Sequence, residues 1–256
     1  MESTSKSRYI KLALKLLESY RGRDNIIRIS SYVTMLLSSF GKQGGPMNVH
    51  FGVITQQLNL CRTILRLFDD LPMLAATATY GFGKHEKVLG VGLLKAFENL
   101  AYQIFFPVEH VAWLAHAKVL KGYNEGKWMA GCIALWAVAL TLAITRNIIS
   151  LRAMRKTTQE VQKQITIEGG FEDSSLEVKS TSLTKSVQEL KLNEYNMRLD
   201  LLKNIADLCN AVNWLPPGFL WSGKIPTSIT AMCGILSSYL GIYQTATKMV
   251  SDKKTV

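Results

Sequence analysis

Three groupings in the chain carry side chains suited to chemistry. Gly81-Phe82-Gly83-Lys84 has the glycines and lysine of a phosphate-cradling loop. A P-loop needs G-x-x-x-x-G-K and then Ser or Thr, so that backbone amides ring the phosphates and a hydroxyl reaches Mg²⁺. Here the spacing is shorter and His85 follows the lysine. Glu109-His110 with His116 suggests a metal site, but histidines at this spacing do not share a helix face as i, i+4 ligands do. They read as ordinary polar residues of a turn beside a membrane. Asp69-Asp70 would suit paired acids, yet Arg66 lies one turn before Asp70 and is expected to pair with it on a solvated face. Cys61, Cys132, Cys209 and Cys233 are far apart, without C-x-x-C, and read as small buried or membrane-facing residues in a reducing compartment. With no G-x-S-x-G motif and no Cys/His constellation, the expectation is a non-enzyme without cofactor or metal.

The elements around these residues explain the chain better. Of its 256 residues 48% are hydrophobic, with a mean hydropathy of +0.10, and what matters is how they are distributed. Between Lys127 and Arg146 lies WMAGCIALWAVALTLAIT, free of charge. As a helix it covers roughly 27 Å, close to the hydrocarbon thickness of a bilayer. Between Lys224 and Lys248 lies IPTSITAMCGILSSYLGIYQTAT, longer but more polar. Trp128 and Tyr243 lie toward the ends of these runs, where amphipathic rings favour headgroups. Gly234, Ser237, Ser238 and Gly241 give small-residue spacing that lets membrane helices approach closely. An integral membrane protein with spans near Trp128–Thr145 and Ile225–Thr247 is expected. The alternative for each run is a buried helix of a soluble core.

The formal net charge of +11 suits nucleic acid or an anionic membrane surface. No zinc-finger spacing, RNA-binding sheet signature or Arg-rich arm accompanies it, so the membrane reading is favoured and nucleic acid is not an expected partner. The N-terminus lacks a secretory signal, because Arg8, Lys11 and Lys15 interrupt any apolar core. It partly mimics a mitochondrial presequence, against which Glu2, Glu18 and Asp24 argue. The tail Lys253-Lys254-Thr-Val is not a peroxisomal matrix address, and it fits a dilysine motif weakly.

The pattern divides into an N-terminal amphipathic helical region (1–127), a first transmembrane helix (128–150), a connector (151–224) with an amphipathic helix at about 186–215, a second transmembrane helix (225–247) and a basic tail (248–256). In the first helix Tyr9, Leu12, Ala13, Leu16 and their neighbours fill a broad arc, opposite Arg8, Lys11, Lys15 and Glu18. Gly22 is expected to break it. A second helix from about Asp24 ends at Gly41–Pro46. The third, near Val49–Leu71, sets Leu58, Ile64, Leu65 and Phe68 against Gln56, Arg62, Arg66 and Asp69, and Pro72 closes it. A fourth, Glu86–Phe106, is apolar nearly all round apart from Lys95 and Glu98, with Pro107 kinking or ending it before a short helix at Val111–Leu120. The polar stretch 157–185, broken at Gly169-Gly170, is expected to be a flexible loop. Nothing alternates as a strand, so the fold class is all-α: amphipathic helices, then two transmembrane helices joined by a partly flexible loop. The amphipathic stripes fit helices lying in the headgroup plane, and equally the mutual core of a cytosolic bundle.

Glu18-Ser-Tyr-Arg-Gly-Arg-Asp24, Cys61-Arg-Thr-Ile-Leu-Arg-Leu-Phe-Asp-Asp-Leu71 and Glu109-His-Val-Ala-Trp113 resemble the peroxisomal membrane protein 11 (peroxin-11) family, gamma type. Asn204-Ile-Ala-Asp-Leu208, Trp214-Leu215-Pro216 and Leu220-Trp221-Ser-Gly223 extend the likeness, which covers nearly the whole chain except the polar loop. The resemblance implies a peroxisomal membrane protein with cytosolic termini that elongates the membrane through amphipathic helices and promotes peroxisome division. It also implies partners: anionic lipids, the chain itself and related family members, the peroxin import receptor, and the dynamin-type fission machinery with its membrane adaptor. Gln56–Phe68 matches the family's membrane-active segment, with Arg62 and Arg66 at its basic positions, although Asp69 and Asp70 are less basic than in other branches. The membrane-binding set is therefore Arg8, Lys11, Leu14, Lys15 and Leu17, with Leu58, Arg62, Leu65, Arg66 and Phe68. Arg146, Arg152, Arg155 and Lys156 would form the targeting element for the import receptor; as plain interface anchors they need no receptor.

Two other functions fit the same residues: a metabolite channel, for which Ser228, Thr230, Ser237, Ser238 and Gln244 would supply polar lining, and a fission-factor adaptor without curvature activity. A synthetic Val49–Leu71 peptide is expected to turn helical on anionic liposomes and tubulate them. If it does neither while the full protein conducts ions, the channel reading leads.

Overall fold

A computed structural model describes residues 10–251 except 12, 84–85, 87 and 169–173. The described residues form helices and no strand, the all-α class expected. They are α1 (helical at 10–11 and 13–18), α2 (Tyr20–Phe40), α3 (Pro46–Arg66), α4 (Asp70–Tyr80), α5 (Leu89–His116), α6 (Glu125–Glu168), α7 (Ser174–Asn213) and α8 (Thr227–Ser251).

Local sequence sets most of the boundaries. The first interruption falls at Ser19 and not at Gly22: the Ser19 hydroxyl accepts from the Gly22 amide at 3.1 Å and caps α2. Such a cap is worth about 1 kcal/mol. Gly22 is instead inside α2, with a Cβ site only 2.0 Å from the Leu16 carbonyl oxygen, so a side chain there would collide with the end of α1. Pro46 opens α3, where its missing N–H costs nothing. Pro72 does not close a helix but sits in the first turn of α4. Pro107 neither ends nor splits α5. The lost bond to a carbonyl is tolerated because α4 and α6 pack along α5 and hold both halves in line.

The polar connector departs most from expectation. Helix α6 continues to Glu168 and α7 begins at Ser174, so most of 157–185 is helical; only its middle lies outside the described residues. Gln, Glu and Lys are good helix formers despite their polarity, and an apolar seam supports them: Val161 and Ile165 are half-buried and Val187 is buried.

Pairings fix the direction of each helix. Trp136 stacks on Trp214 (centroids 6.1 Å apart) and Arg155 meets Glu194 at 3.1 Å, so α6 and α7 are antiparallel. Asn213 donates to Thr230 at 3.3 Å and Gln244 to the Asn196 carbonyl at 3.2 Å, so α7 and α8 are antiparallel. It follows that α6 and α8 run in the same direction, with α7 returning beside them. Two spans related as a simple hairpin do not have this geometry. Among the described residues one helix, α6, is long and apolar enough to cross a membrane, with a mean hydropathy of 1.9 in its best window and 22% of that window buried. A soluble core helix would be mostly buried there. Helix α8 forms over the second expected span but is more polar.

Helix α2 crosses α8 closely. A Cβ on Gly234 would lie 2.3 Å from the Tyr32 ring, and that ring is buried and stacked on Trp214 at 6.4 Å. Gly234→Ala is expected to destabilise the bundle by about 1–3 kcal/mol through overpacking, read as a lower melting temperature of the detergent-solubilised protein. An unchanged midpoint would show that Tyr32 yields freely.

Candidate functional site

The bundle seals polar side chains inside, among small and apolar ones, while many of its large apolar side chains face outward. Its largest fully buried side chains are Asn210, Thr230, Ser31, Ser237 and Ser238. Phe68, Leu71 and Phe82 meanwhile stand 81%, 76% and 75% exposed, and Phe97, Leu100 and Ile104 form an outward stripe on α5. In water each such ring forfeits roughly 2 kcal/mol of burial. In hydrocarbon the arrangement is favourable, because polar groups must then find partners within the protein.

The interior charges are paired across helices. Arg28 on α2 bonds Asp207 on α7 and Ser237 on α8 (3.2 Å), joining three helices, and its guanidinium lies 5.8 Å from the Tyr32 ring centre. Glu98 on α5 accepts from Lys95 (2.9 Å) and from Arg146 of α6 (3.1 Å). Arg62 makes two bonds to Asp24, at 2.8 and 3.3 Å, and Arg66 two to Glu109, one through Nε at 2.9 Å. The expected Arg66–Asp70 pair is therefore absent: Arg66 reaches across to α5, where a buried carboxylate needs its charge. Asp70 faces His110 at 3.4 Å, and Asp69 accepts from the Tyr20 hydroxyl at 3.0 Å. Burial pushes the Asp69 carboxyl and the Tyr20 phenol up. Burial acts to raise Asp24 too, but the hydrogen bonds and charge of Arg62 outweigh it and hold that carboxyl below its usual value. Asn210 stands out, since neither amide atom has a partner in the described structure.

The sequence-predicted residues separate into groups. In α1, Lys11, Leu14, Lys15 and Leu17 are all exposed, as is Ile10, whereas Arg8 lies outside the described residues. In α3, Leu58 and Leu65 are half-buried, and Arg62 and Arg66 point inward to their carboxylates. Phe68, just past α3, faces outward. Of the basic targeting candidates, Arg146 is held by Glu98 and Arg155 by Glu194, while Arg152 and Lys156 are exposed. Glu109 and His110 serve interhelical pairs, and His116 meets Glu125 across the α5–α6 turn at 2.8 Å. Lys84, His85 and the dilysine also fall outside the described residues. Sequence reading passed over Arg28 and Asp207. Asp207 carried a signal, as the lone acid in an otherwise uncharged run of a helix, NIADLCNAVN.

Removing one partner of a buried pair leaves an uncompensated charge. Arg28→Met or Asp207→Asn is expected to cost about 3–5 kcal/mol, and Arg28→Met with Asp207→Leu far less than the sum, measured by thermal unfolding in detergent. Asp24 adds a pH dependence. Because its folded pKa lies below the ordinary 3.8, its contribution is complete above that value and is lost as pH falls through the lower folded pKa. Asp24→Asn should therefore lower the midpoint at neutral pH and flatten the acid limb; parallel curves for the two proteins would refute this.

Comparison with known proteins identifies the family. The profile of the family Peroxisomal biogenesis factor 11 (PEX11) matches residues 10–246. "Peroxisomal membrane protein 11C" of Homo sapiens is 37% identical over 234 residues, covering 90% of this chain and 91% of its own length. The protein of the same name from Mus musculus is 35% identical over 232 residues, covering 89% and 90%. No solved structure matches. A chain matched almost end to end, with its apolar surface turned outward, belongs to the peroxisomal biogenesis factor 11 family of peroxisomal membrane proteins.

Proposed function

We propose that the chain elongates the peroxisomal membrane and promotes division by holding a free amphipathic helix in the headgroup plane beside a membrane-embedded bundle. The observation that carries this reading is α1: Ile10, Leu14 and Leu17 are exposed together with Lys11 and Lys15. Such a helix buries its apolar arc in the outer acyl region while its lysines meet anionic headgroups, and insertion into one leaflet favours curvature. Phe68 and Leu71 at the α3–α4 corner add a second apolar contact. Arg62 and Arg66 support the bundle in this reading, and α1 supplies the free cations.

The bundle acts as anchor, with α6 crossing the bilayer. Since α6 and α8 are parallel, a multi-pass protein in which both cross needs α7 to cross between them, its Asp207 shielded by Arg28. The proposed partners are further copies of the chain and its relatives, the import receptor acting at Arg152 and Lys156, and the dynamin-type fission machinery with its adaptor. The protein works as a structural element and not as a catalyst. A metabolite channel is the second reading, favoured by the buried polar residues and by Asn210, whose amide is free to hold water.

Leu14→Asp with Leu17→Asp in the full chain is expected to preserve membrane insertion but abolish tubulation of anionic liposomes and elongation of peroxisomes. Undiminished tubules would remove α1 from the mechanism. Ion conductance that survives this change but falls with Asn210→Leu would favour the channel.

A further inference from the structure

A cavity of about 820 Å³ opens between the start of α2, the end of α3, the middle of α7 and the end of α8. Its depth follows from the helix pairings. Arg155 of α6 meets Glu194 beside it, and Gln244 of its wall bonds Asn196, so it lies beyond the apolar run that ends at Thr145. Tyr20, Tyr195 and Tyr243 stand at its partly exposed rim, side chains suited to headgroup depth.

The charges of the lining do not cancel. Asp24 is held by Arg62, Asp200 by Lys203 at 2.7 Å, and Asp69 accepts from Tyr20. Arg28 and Arg66 are held by Asp207 and Glu109. Arg21 on α2 and Lys248 on α8 remain, solvent-exposed cations of the lining with no carboxylate partner in the described structure. Set against the Asp69 carboxylate, they leave the lining one positive charge in excess, which a single anion would neutralise. The three aspartates of the lining disfavour a polyanion, and the hydroxyl and amide groups of Asn25, Thr245 and Thr247 offer bonds to a polar head. The volume is that of a small-molecule site.

We infer that this cavity is a binding site for a singly charged phosphodiester bearing a hydroxyl-rich head, held between Arg21 and Lys248. The site is separate from α1, and its occupancy does not depend on α1 insertion. The same chemistry comes on a membrane lipid (phosphatidylinositol) or on a soluble ester (glycerophosphoinositol).

The full chain in neutral detergent is offered phosphatidylinositol against phosphatidylcholine in native mass spectrometry, and separately glycerophosphoinositol by calorimetry. Preferential retention of phosphatidylinositol, reduced about tenfold by Arg21→Gln with Lys248→Gln and unchanged by the distant Lys127→Gln, is the expected result. Binding of the soluble ester with the same sensitivity identifies the head alone as ligand; binding of the lipid only makes the source the membrane. Equal binding by wild type and the Arg21/Lys248 variant, with helical circular dichroism intact, would overturn the inference. So would an equal loss in Lys127→Gln, which marks general charge attraction. Because Leu14→Asp with Leu17→Asp leaves the cavity intact, failure of the curvature reading and failure of this one are read separately.

Discussion

A charged side chain without water must find its counter-ion within the protein, and this constraint organises the bundle. Arg28 is the clearest case. It sits on an amphipathic N-terminal helix yet bonds Asp207 on α7 and Ser237 on α8, so these helices cannot separate without stranding a charge. Glu98 does the same between α5 and α6, and Glu109 between α5 and α3. An apolar environment outside makes such pairs costly to break and keeps each helix in one register.

The same constraint explains why the outer surface looks incorrect for a soluble protein. Phe68, Leu71 and Phe82 project outward while Asn210 and Ser238 are sealed within. Hydrocarbon offers no incentive for helices to bury apolar groups against each other, so small residues and hydrogen bonds hold them together. Gly234 under Tyr32, Ser31 bonded to Asn59 at 2.8 Å, and Thr34 with Thr55 at 2.8 Å are such contacts. In the proposed division of labour, α2 to α8 form the anchored body, and α1 offers its exposed apolar arc and lysines to the membrane surface.

Much of this was legible in the residues. The charge-free run from Trp128 to Thr145 marks the apolar part of α6, because span length and hydropathy depend only on local composition. The turn at Gly41–Pro46 was readable for the same local reason. Helix continuity was less so. Pro107 and the polar 157–168 segment both look like interruptions, and both are carried by packing against neighbouring helices. Of the candidate site, Lys11, Leu14, Lys15 and Leu17 are exposed on α1, whereas Arg62 and Arg66 show the same periodicity on a wheel whether they face headgroups or Asp24 and Glu109.

By itself the sequence determined the helical class, the apolar run of α6, the amphipathic character of α1 and family membership, all consequences of residue type and short-range spacing. The tertiary structure alone decided that α6 and α8 are parallel with α7 returning between them. It also decided that the basic residues of α3 turn inward, and that Arg21 and Lys248 face one cavity from helices more than two hundred residues apart in the chain. Periodicity says which residues share a helix face, but the neighbour that covers that face is chosen by contacts distant in sequence.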